Sequence, residues 1–327
     1  MEIAFVGDVM LGRLVAEELR HHSPEFPWGD TLPLLRRADV LVGNLEFVLA
    51  VDGRPQPGKT FHFRADPGAV ASLEAAGFAI VSVANNHVLD FGTDAALESL
   101  STLAQHGIRF TGAGPDADAA RRPAVIGRDD VTIAMLAFTD NEPDWEAGPD
   151  APGVRHVPVD LGDPRAAALF DDVAGQREAA DLVIVSAHWG GNWGVDPPPS
   201  HRRFGRALVD AGADVVFGHS PHIVRGVEVY RERPILYGAG DFVDDYAVDP
   251  VERNDHSFVF MLRTEGAAPT ELRLHPTEIV DFRARLAGRH ADAIAGEMAR
   301  RCAALGTSAV WDDDERCLVI GIAAAHG

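Results

Sequence analysis

The sequence predicts an α/β protein built around a central sheet. Three observations carry this reading. Short apolar runs bounded by turn residues recur along the chain, and amphipathic stretches of helical period lie between several of them. Beyond about residue 223 the helical stretches stop, and strand-like runs follow one another directly. The first run, residues 3–6, is a buried strand leading into Gly7 and Asp8, and residues 12–20 read as the helix after it. Residues 40–42 form the next strand. A helix over 67–76 follows, opened by Asp66 as N-cap ahead of Pro67. Residues 79–83, 131–138, 182–186 and 215–217 continue the strands, with helices over 94–105 and 200–211 among them. In the second half, residues 226–230, 234–237, 257–263 and 271–274 read as strands of an antiparallel region. A terminal helix over 289–304 and a last strand over 317–320 close the chain. The stretch 143–164, rich in Pro, Gly and Asp, reads as a long loop of the kind that is often functional in a compact domain.

Length and charge narrow the function classes. The 327 residues are 46% hydrophobic, enough for one large core or two modest ones. Fifty Asp and Glu against 29 Lys and Arg leave a formal charge of -21, which repels nucleic-acid phosphates and anionic membrane surfaces. No nucleic acid is therefore expected as a partner. Lys59 is the only lysine, so Schiff-base chemistry is excluded unless Lys59 is the amine. The first residues carry neither a basic leader nor an apolar segment of signal length, and no run is long enough to span a membrane. A cytoplasmic protein without a membrane anchor is expected. Cys302 and Cys317 lack the spacing of a zinc cluster and are expected to be incidental thiols, with a disulfide between them as the alternative.

The chemistry sits at the ends of the apolar runs. Asp8, Asn44 with Glu46, Asn85 with Asn86 and His87, His188, and then His219 and His222 each follow a predicted strand. In an open α/β sheet the carboxyl ends of the strands form one edge, so residues far apart in sequence converge on one crevice. Singly, each motif has a plainer meaning: a turn at Gly7-Asp8, an Asx turn at Asn85-Asn86-His87, a hydrogen-bonded core histidine at His188. Gly218-His219-Ser220-Pro221-His222 is the hardest to explain as structure alone, because a strand-to-turn junction holds two imidazoles. Together the sites specify a centre of oxygen and nitrogen donors suited to Mn, Fe, Zn or Mg.

These motifs also carry a family resemblance. Gly7-Asp8-Val9-Met10, Gly43-Asn44-Leu45-Glu46, Asn85-Asn86-His87, His188-Trp189-Gly190, Gly218-His219-Ser220-Pro221-His222 and Tyr237-Gly238-Ala239-Gly240-Asp241-Phe242 occur in order over about residues 2–245. The set resembles the CapA (poly-γ-glutamate capsule synthesis) family, itself similar to calcineurin-like metallophosphoesterases. The resemblance implies a four-layer α/β/β/α sandwich with mixed sheets and a dinuclear site of two divalent metal ions (Mn, Fe or Zn). Residues 1–250 would form the core, and the strands and helix of 251–327 would complete the same domain. By position, Asp8 and His222 would bind the first metal, Glu46 would bridge, and Asn86, His188 and His219 would bind the second. His87 would act on the leaving oxygen. Three features depart from the phosphoesterase pattern: Met10 replaces a histidine, Glu46 replaces an aspartate, and His219 and His222 are three apart rather than two. The first metal position would consequently be weaker, differently shaped, or empty at low metal. Asp241, where the family usually has Asn, adds a ligand or caps a turn.

The implied chemistry is metal-dependent hydrolysis of a phosphate ester or related small anion, two cations lowering the pKa of a bridging water. Arg13, Asn44, His62 and Arg64 are the candidate substrate-binding residues, the arginines being surface ion pairs in the alternative. Trp189 and Trp193 either wall the pocket or cover the sheet edge. Two other classes stay open. One is an accessory or amide-bond-forming component of poly-γ-glutamate synthesis. The other is a non-catalytic, metal-containing anion binder.

Overall fold

Two sheets, rather than one, take up the predicted strands. The protein is described here by a computed structural model covering residues 1–322. The first sheet runs, in spatial order, Val310–Asp312, Cys317–Gly321, Ala268–Val280, His256–Glu265, Glu2–Val9, Val40–Leu45, Phe78–Ser82 and Arg109–Thr111. Asp241–Val243 and Arg283–Leu286 attach to it beside Glu2–Val9 and Ala268–Val280. The second sheet runs Val227–Tyr230, Arg233–Leu236, Val215–His219, Leu182–His188, Val131–Thr139 and Ala124–Arg128. Both are mixed. Glu2–Val9, Val40–Leu45 and Phe78–Ser82 are parallel, whereas His256–Glu265 runs against Glu2–Val9. The antiparallel region expected after residue 223 needs one correction. Arg233–Leu236 pairs antiparallel with Val227–Tyr230 but parallel with Val215–His219, because it closes a second sheet instead of extending the first.

Side-chain alternation divides the core into layers. Ile3, Phe5, Val40, Val42 and Ile80 of the first sheet meet Ile133, Met135, Ile184, Val215 and Phe217 of the second in one buried cluster. Phe5 and Phe217 touch across the gap, with ring centroids 5.2 Å apart. The alternate residues of the first sheet, Ala4, Val6, Leu41 and Val81, pack outward against Trp28, Leu73 and Leu100. Those of the second, Leu136, Val183, Val185 and Val216, pack against Leu169, Val173, Phe204 and Leu208 of the helices Pro164–Gln176 and Pro199–Ala211. The result is the four-layer α/β/β/α sandwich. Strands buried on both faces read as continuous apolar runs, which is why the apolar pattern signalled strands while their division into two sheets came from the family resemblance. The terminal helix Ala291–Ala304 presses Ile294, Ala295, Met298 and Cys302 into the same inter-sheet cluster.

The expected helices sit where the periodicity places them, as Arg13–Leu19, Val70–Ala76, Thr93–Gln105 and Pro199–Ala211. Asp66 accepts a hydrogen bond from Gly68 N at the start of the short helical turn Pro67–Ala69. The helix Pro164–Gln176 is an addition. Its buried stripe is only Ala166, Leu169 and Val173, too narrow to stand out in a stretch rich in Pro and Asp. Residues 143–164 are largely irregular, interrupted by the turn Pro143–Trp145 and the two-residue strand Gly153–Val154. Cys302 and Cys317 are free and buried.

Candidate metal centre

The site forms where the carboxyl ends of both sheets face each other. In Val40–Leu45, Val40 and Val42 point between the sheets, so Asn44 does too. The same alternation carries Ile184, Ser186 and His188, and Val215, Phe217 and His219, toward the first sheet. Asp8 is different. Continuing from Ile3 and Phe5, it would point outward into the helical layer. The pairing register slips between Val6 and Asp8, leaving Gly7 as the extra residue of a bulge. This slip turns Asp8 inward and sets it level with Asn44 on one side and Asp241 on the other. Gly7 is needed there because a β-carbon would lie 1.8 Å from the Gly240 carbonyl oxygen. In the second sheet His188 and His219 are register partners.

Two donor groups result, and they share one carboxylate. Ligand atoms of Asp8, His188 and His219 lie within 4.8 Å of one another, and so do those of Asp8, His222 and Asp241. His188 Nδ1 and His219 Nδ1 are 3.0 Å apart, and Asn86 Oδ1 is 3.1 Å from His188 Nε2. The resemblance assigns the bridging position to Glu46. In the structure the carboxylate common to both groups is Asp8, while Glu46 stands beside them with Oε2 3.9 Å from His188 Nδ1. Asn44 joins the two acids, donating from Nδ2 to Asp8 Oδ1 at 2.8 Å and to Glu46 Oε2 at 2.7 Å. Asn85 is structural: it donates to Asn44 Oδ1 and to the Leu45 carbonyl, and its Oδ1 accepts from His87 N.

The charge balance fits a cation. Asp8, Glu46, Asp241 and Asp244 are all at most 3% exposed. Burial pushes the Asp8 carboxyl up to about 6, against the hydrogen bond from Asn44, and raises Glu46, Asp241 and Asp244 well above the ordinary range. Burial also holds His219 down to about 3 and His188 well below its usual value, so both imidazoles are neutral donors at pH 7. Asp8 Oδ2 and Asp241 Oδ2 are buried without a hydrogen-bond partner. Clustered carboxylates, neutral imidazoles and unpartnered oxygens are what a divalent ion satisfies.

Around this centre several side chains differ from the sequence reading. Asp241, open between ligand and turn cap on sequence grounds, lies with Oδ1 2.9 Å from His222 Nδ1. His87 holds Asp90 through Nδ1 at 2.6 Å, and its Nε2 is 3.8 Å from Glu46 Oε1. Asp90 in turn meets Lys59 Nζ at 2.7 Å, and Lys59 also donates to the Asn86 carbonyl. Asp90, Asp244 and the place of Lys59 are absent from the sequence-based site; the His-x-x-Asp spacing was the available signal for Asp90. Arg13 pairs with Asp245 at 3.1 Å and stacks over Phe61 and Phe63, the latter packing edge-on against His87. His62 and Arg64 make their contacts elsewhere, with the Gln56 carbonyl and the Phe91 ring. Trp189 is a core residue, fully buried and donating to the Tyr237 carbonyl, whereas Trp193 is 48% exposed and lies edge-on to His222 at the mouth.

Fold and site thus define a two-sheet α/β/β/α protein with a buried, metal-competent cluster at the strand ends. Residues 2–246 match the family described as bacterial capsule synthesis protein PGA_cap, and the chain belongs to that family. It is 40% identical over 232 residues to a Mycobacterium tuberculosis protein described as a "probable polyglutamine synthesis accessory protein", covering 68% of this chain and 60% of that one. It is 31% identical over 248 residues to the Bacillus subtilis PGA biosynthesis protein CapA, covering 75% and 63%. The Bacillus anthracis capsule biosynthesis protein CapA is 29% identical over 252 residues, covering 75% and 60%. The match therefore spans about three fifths of the length of these relatives. A hypothetical protein from Thermus thermophilus shares the fold, with a TM-score of 0.52 at 15% identity over 85% of this chain and 99% of that one. Among the described residues no helix is long and apolar enough to cross a membrane.

Proposed function

We propose that this chain is an accessory protein of poly-γ-glutamate capsule synthesis whose cluster holds two divalent cations of the Mn, Fe or Zn class. Through them it would bind a carboxylate or phosphate group of the polymer or its precursor. The observation that supports this is the buried set of Asp8, His188, His219, His222 and Asp241 in a chain of a capsule synthesis family. Bound cations supply positive charge and polarise an anionic oxygen. The chain's own residues do the rest. Asn44 fixes Asp8 and Glu46 relative to each other, and Ser186 Oγ, 2.7 Å from His219 Nε2, fixes that ring. The test is deletion of the gene followed by complementation. Wild-type protein should restore the polymer, and Asp8→Asn or His188→Ala should not. Normal polymer in the deletion strain would refute this role.

A second reading, a phosphate-ester hydrolase, is favoured by one observation: the His87–Asp90 pair beside the donor groups. Asp90 takes the Nδ1 side of the ring and leaves Nε2 facing Glu46. Burial lowers the His87 pKa against the pull of Asp90, so the ring offers an acceptor at neutral pH and donates only after taking up a proton. Purified metal-loaded protein assayed on a phosphatase and phosphodiesterase panel separates the two. Turnover that His87→Gln abolishes, with metal content unchanged, supports the hydrolase. Polymer loss in the deletion strain with no turnover on the panel supports the accessory role.

A further inference from the structure

A second group of metal-ligating side chains lies outside the family-matched region, on the C-terminal hairpin. A ring nitrogen of His275, a carboxylate oxygen of Glu315 and Sγ of Cys317 lie within 4.8 Å of one another. The ladder explains why. Leu274 pairs with Leu318 between the antiparallel strands Ala268–Val280 and Cys317–Gly321, so the next step brings His275 level with Cys317. Glu315 reaches them from the tight turn joining Val310–Asp312 to Cys317–Gly321. Cys317 is fully buried and His275 is only 6% exposed, while Glu315 opens to solvent. A tetrahedral zinc site with bonds of about 2.0–2.3 Å places its donors about 3.5 Å apart, so closure needs only small side-chain adjustments.

An independent observation points to a ligand. His275 Nε2 is buried with no hydrogen-bond partner, an uncompensated polar atom on the imidazole that meets the thiol and the carboxylate. The neighbouring cation partners the carboxylate and the thiol but leaves the imidazole nitrogen unsatisfied. Arg273 is held by Glu271 at 2.6 Å, Asp312 at 3.2 Å and Glu315 at 3.0 Å, and its guanidinium stands 3.9 Å from Cys317 Sγ. Arg263 adds a second positive charge, 3.2 Å from Glu271 and 3.7 Å from Glu315. With Glu2, 3.0 Å from Arg263, and Arg37, 3.2 Å from Glu2, four carboxylates face three guanidiniums, so this corner is negative before the thiol ionises. Arg273 is placed to donate a hydrogen bond to a metal-bound sulfur, a supporting role common around such ligands.

We infer that His275, Glu315 and Cys317 form a zinc site separate from the strand-end cluster, with a fourth position open to solvent. Binding displaces the thiol proton of Cys317, which leaves to water as the sulfur–metal bond forms. Cadmium titration of the full-length protein tests it, because only a thiolate ligand gives a near-ultraviolet sulfur-to-metal charge-transfer band, and the strand-end cluster contains no cysteine. The wild type should develop the band with one equivalent of cadmium at this site, and zinc should compete it away. Cys317→Ser should abolish it. His275→Ala should weaken cadmium binding beyond the roughly 10–100-fold that loss of a mere supporting partner costs. Cys302→Ser and Asp8→Asn should leave the band and its affinity unchanged. Absence of the band in the wild type, its persistence in Cys317→Ser, or its loss in Cys302→Ser would overturn the assignment. Should Cys317→Ser not fold, an unchanged affinity in His275→Ala overturns it equally.

Discussion

Replacing Asp8 by Asn should stabilise the protein in chelator and destabilise it relative to wild type in metal. Asp8 is buried and its carboxyl is raised from 3.8 to about 6. A pKa raised in the folded state favours folding below the unfolded value and costs stability as pH rises through the folded one. At pH 7 that cost is roughly 3 kcal/mol at 1.36 kcal/mol per pKa unit. An isosteric amide removes it while its oxygen still accepts from Asn44. Because Asp8 Oδ2 has no partner, the new NH2 group is left unsatisfied there at a cost of about 1–3 kcal/mol, which trims the gain to at most about 2 kcal/mol. Metal reverses the sign. An ion present at 100 times its Kd stabilises the wild type by about 2.7 kcal/mol. With an unfolding entropy near 2.1 cal/mol/K per residue, that is a Tm rise of about 4 °C for a chain of this length. Asp8→Asn removes the carboxylate common to both donor groups and should show almost none of this rise. Scanning calorimetry of both proteins, with and without chelator at pH 7, reads the four states. A chelator response in Asp8→Asn equal to that of wild type would refute the shared-carboxylate geometry, as would an equal loss of stability in both conditions.

Three further outcomes follow from particular contacts. Gly7→Ala would set a β-carbon 1.8 Å from the Gly240 carbonyl and break the 2.9 Å hydrogen bond from Asp8 N to that oxygen. It should cost about 3 kcal/mol or more in urea unfolding and remove the metal-dependent part of the stability. Phe217→Ala opens a void opposite Phe5 between the sheets and should cost about 3–5 kcal/mol by the same measurement, with an unchanged m-value. Burial, with Arg225 nearby, lowers the His201 imidazole from 6.5 to about 4. Its neutral form stabilises the fold above pH 6.5, and that stability, roughly 3 kcal/mol, is lost as pH falls toward 4. His201→Gln should flatten the stability profile in that window; an identical acid limb would show that other groups carry it.

Most of the longer strands, and the strand ends that carry donors, were legible in the order of residues alone, whereas Arg109–Thr111, Ala124–Arg128, Asp241–Val243, Arg283–Leu286 and Val310–Asp312 were not. Asp8, Asn44, Glu46, Asn86, His87, His188, His219 and His222 all come together as the regular placement implied, because parallel strands put their carboxyl ends on one edge. Helices were legible wherever one face alone is buried, as in Pro199–Ala211, and illegible where the stripe is narrow, as in Pro164–Gln176. Which acid the two donor groups share was settled only in three dimensions. It depends on a one-residue slip at Gly7 that turns Asp8 from the helical layer to the space between the sheets, and a period-two pattern buried on both faces carries no mark of that slip. Asp90 behind His87, Asp244 beside Asp241, and Cys317 level with His275 were likewise fixed by packing of the folded chain. Each is made by chain segments whose separation in sequence, or whose turn geometry, says nothing of their distance in space until the strands pair.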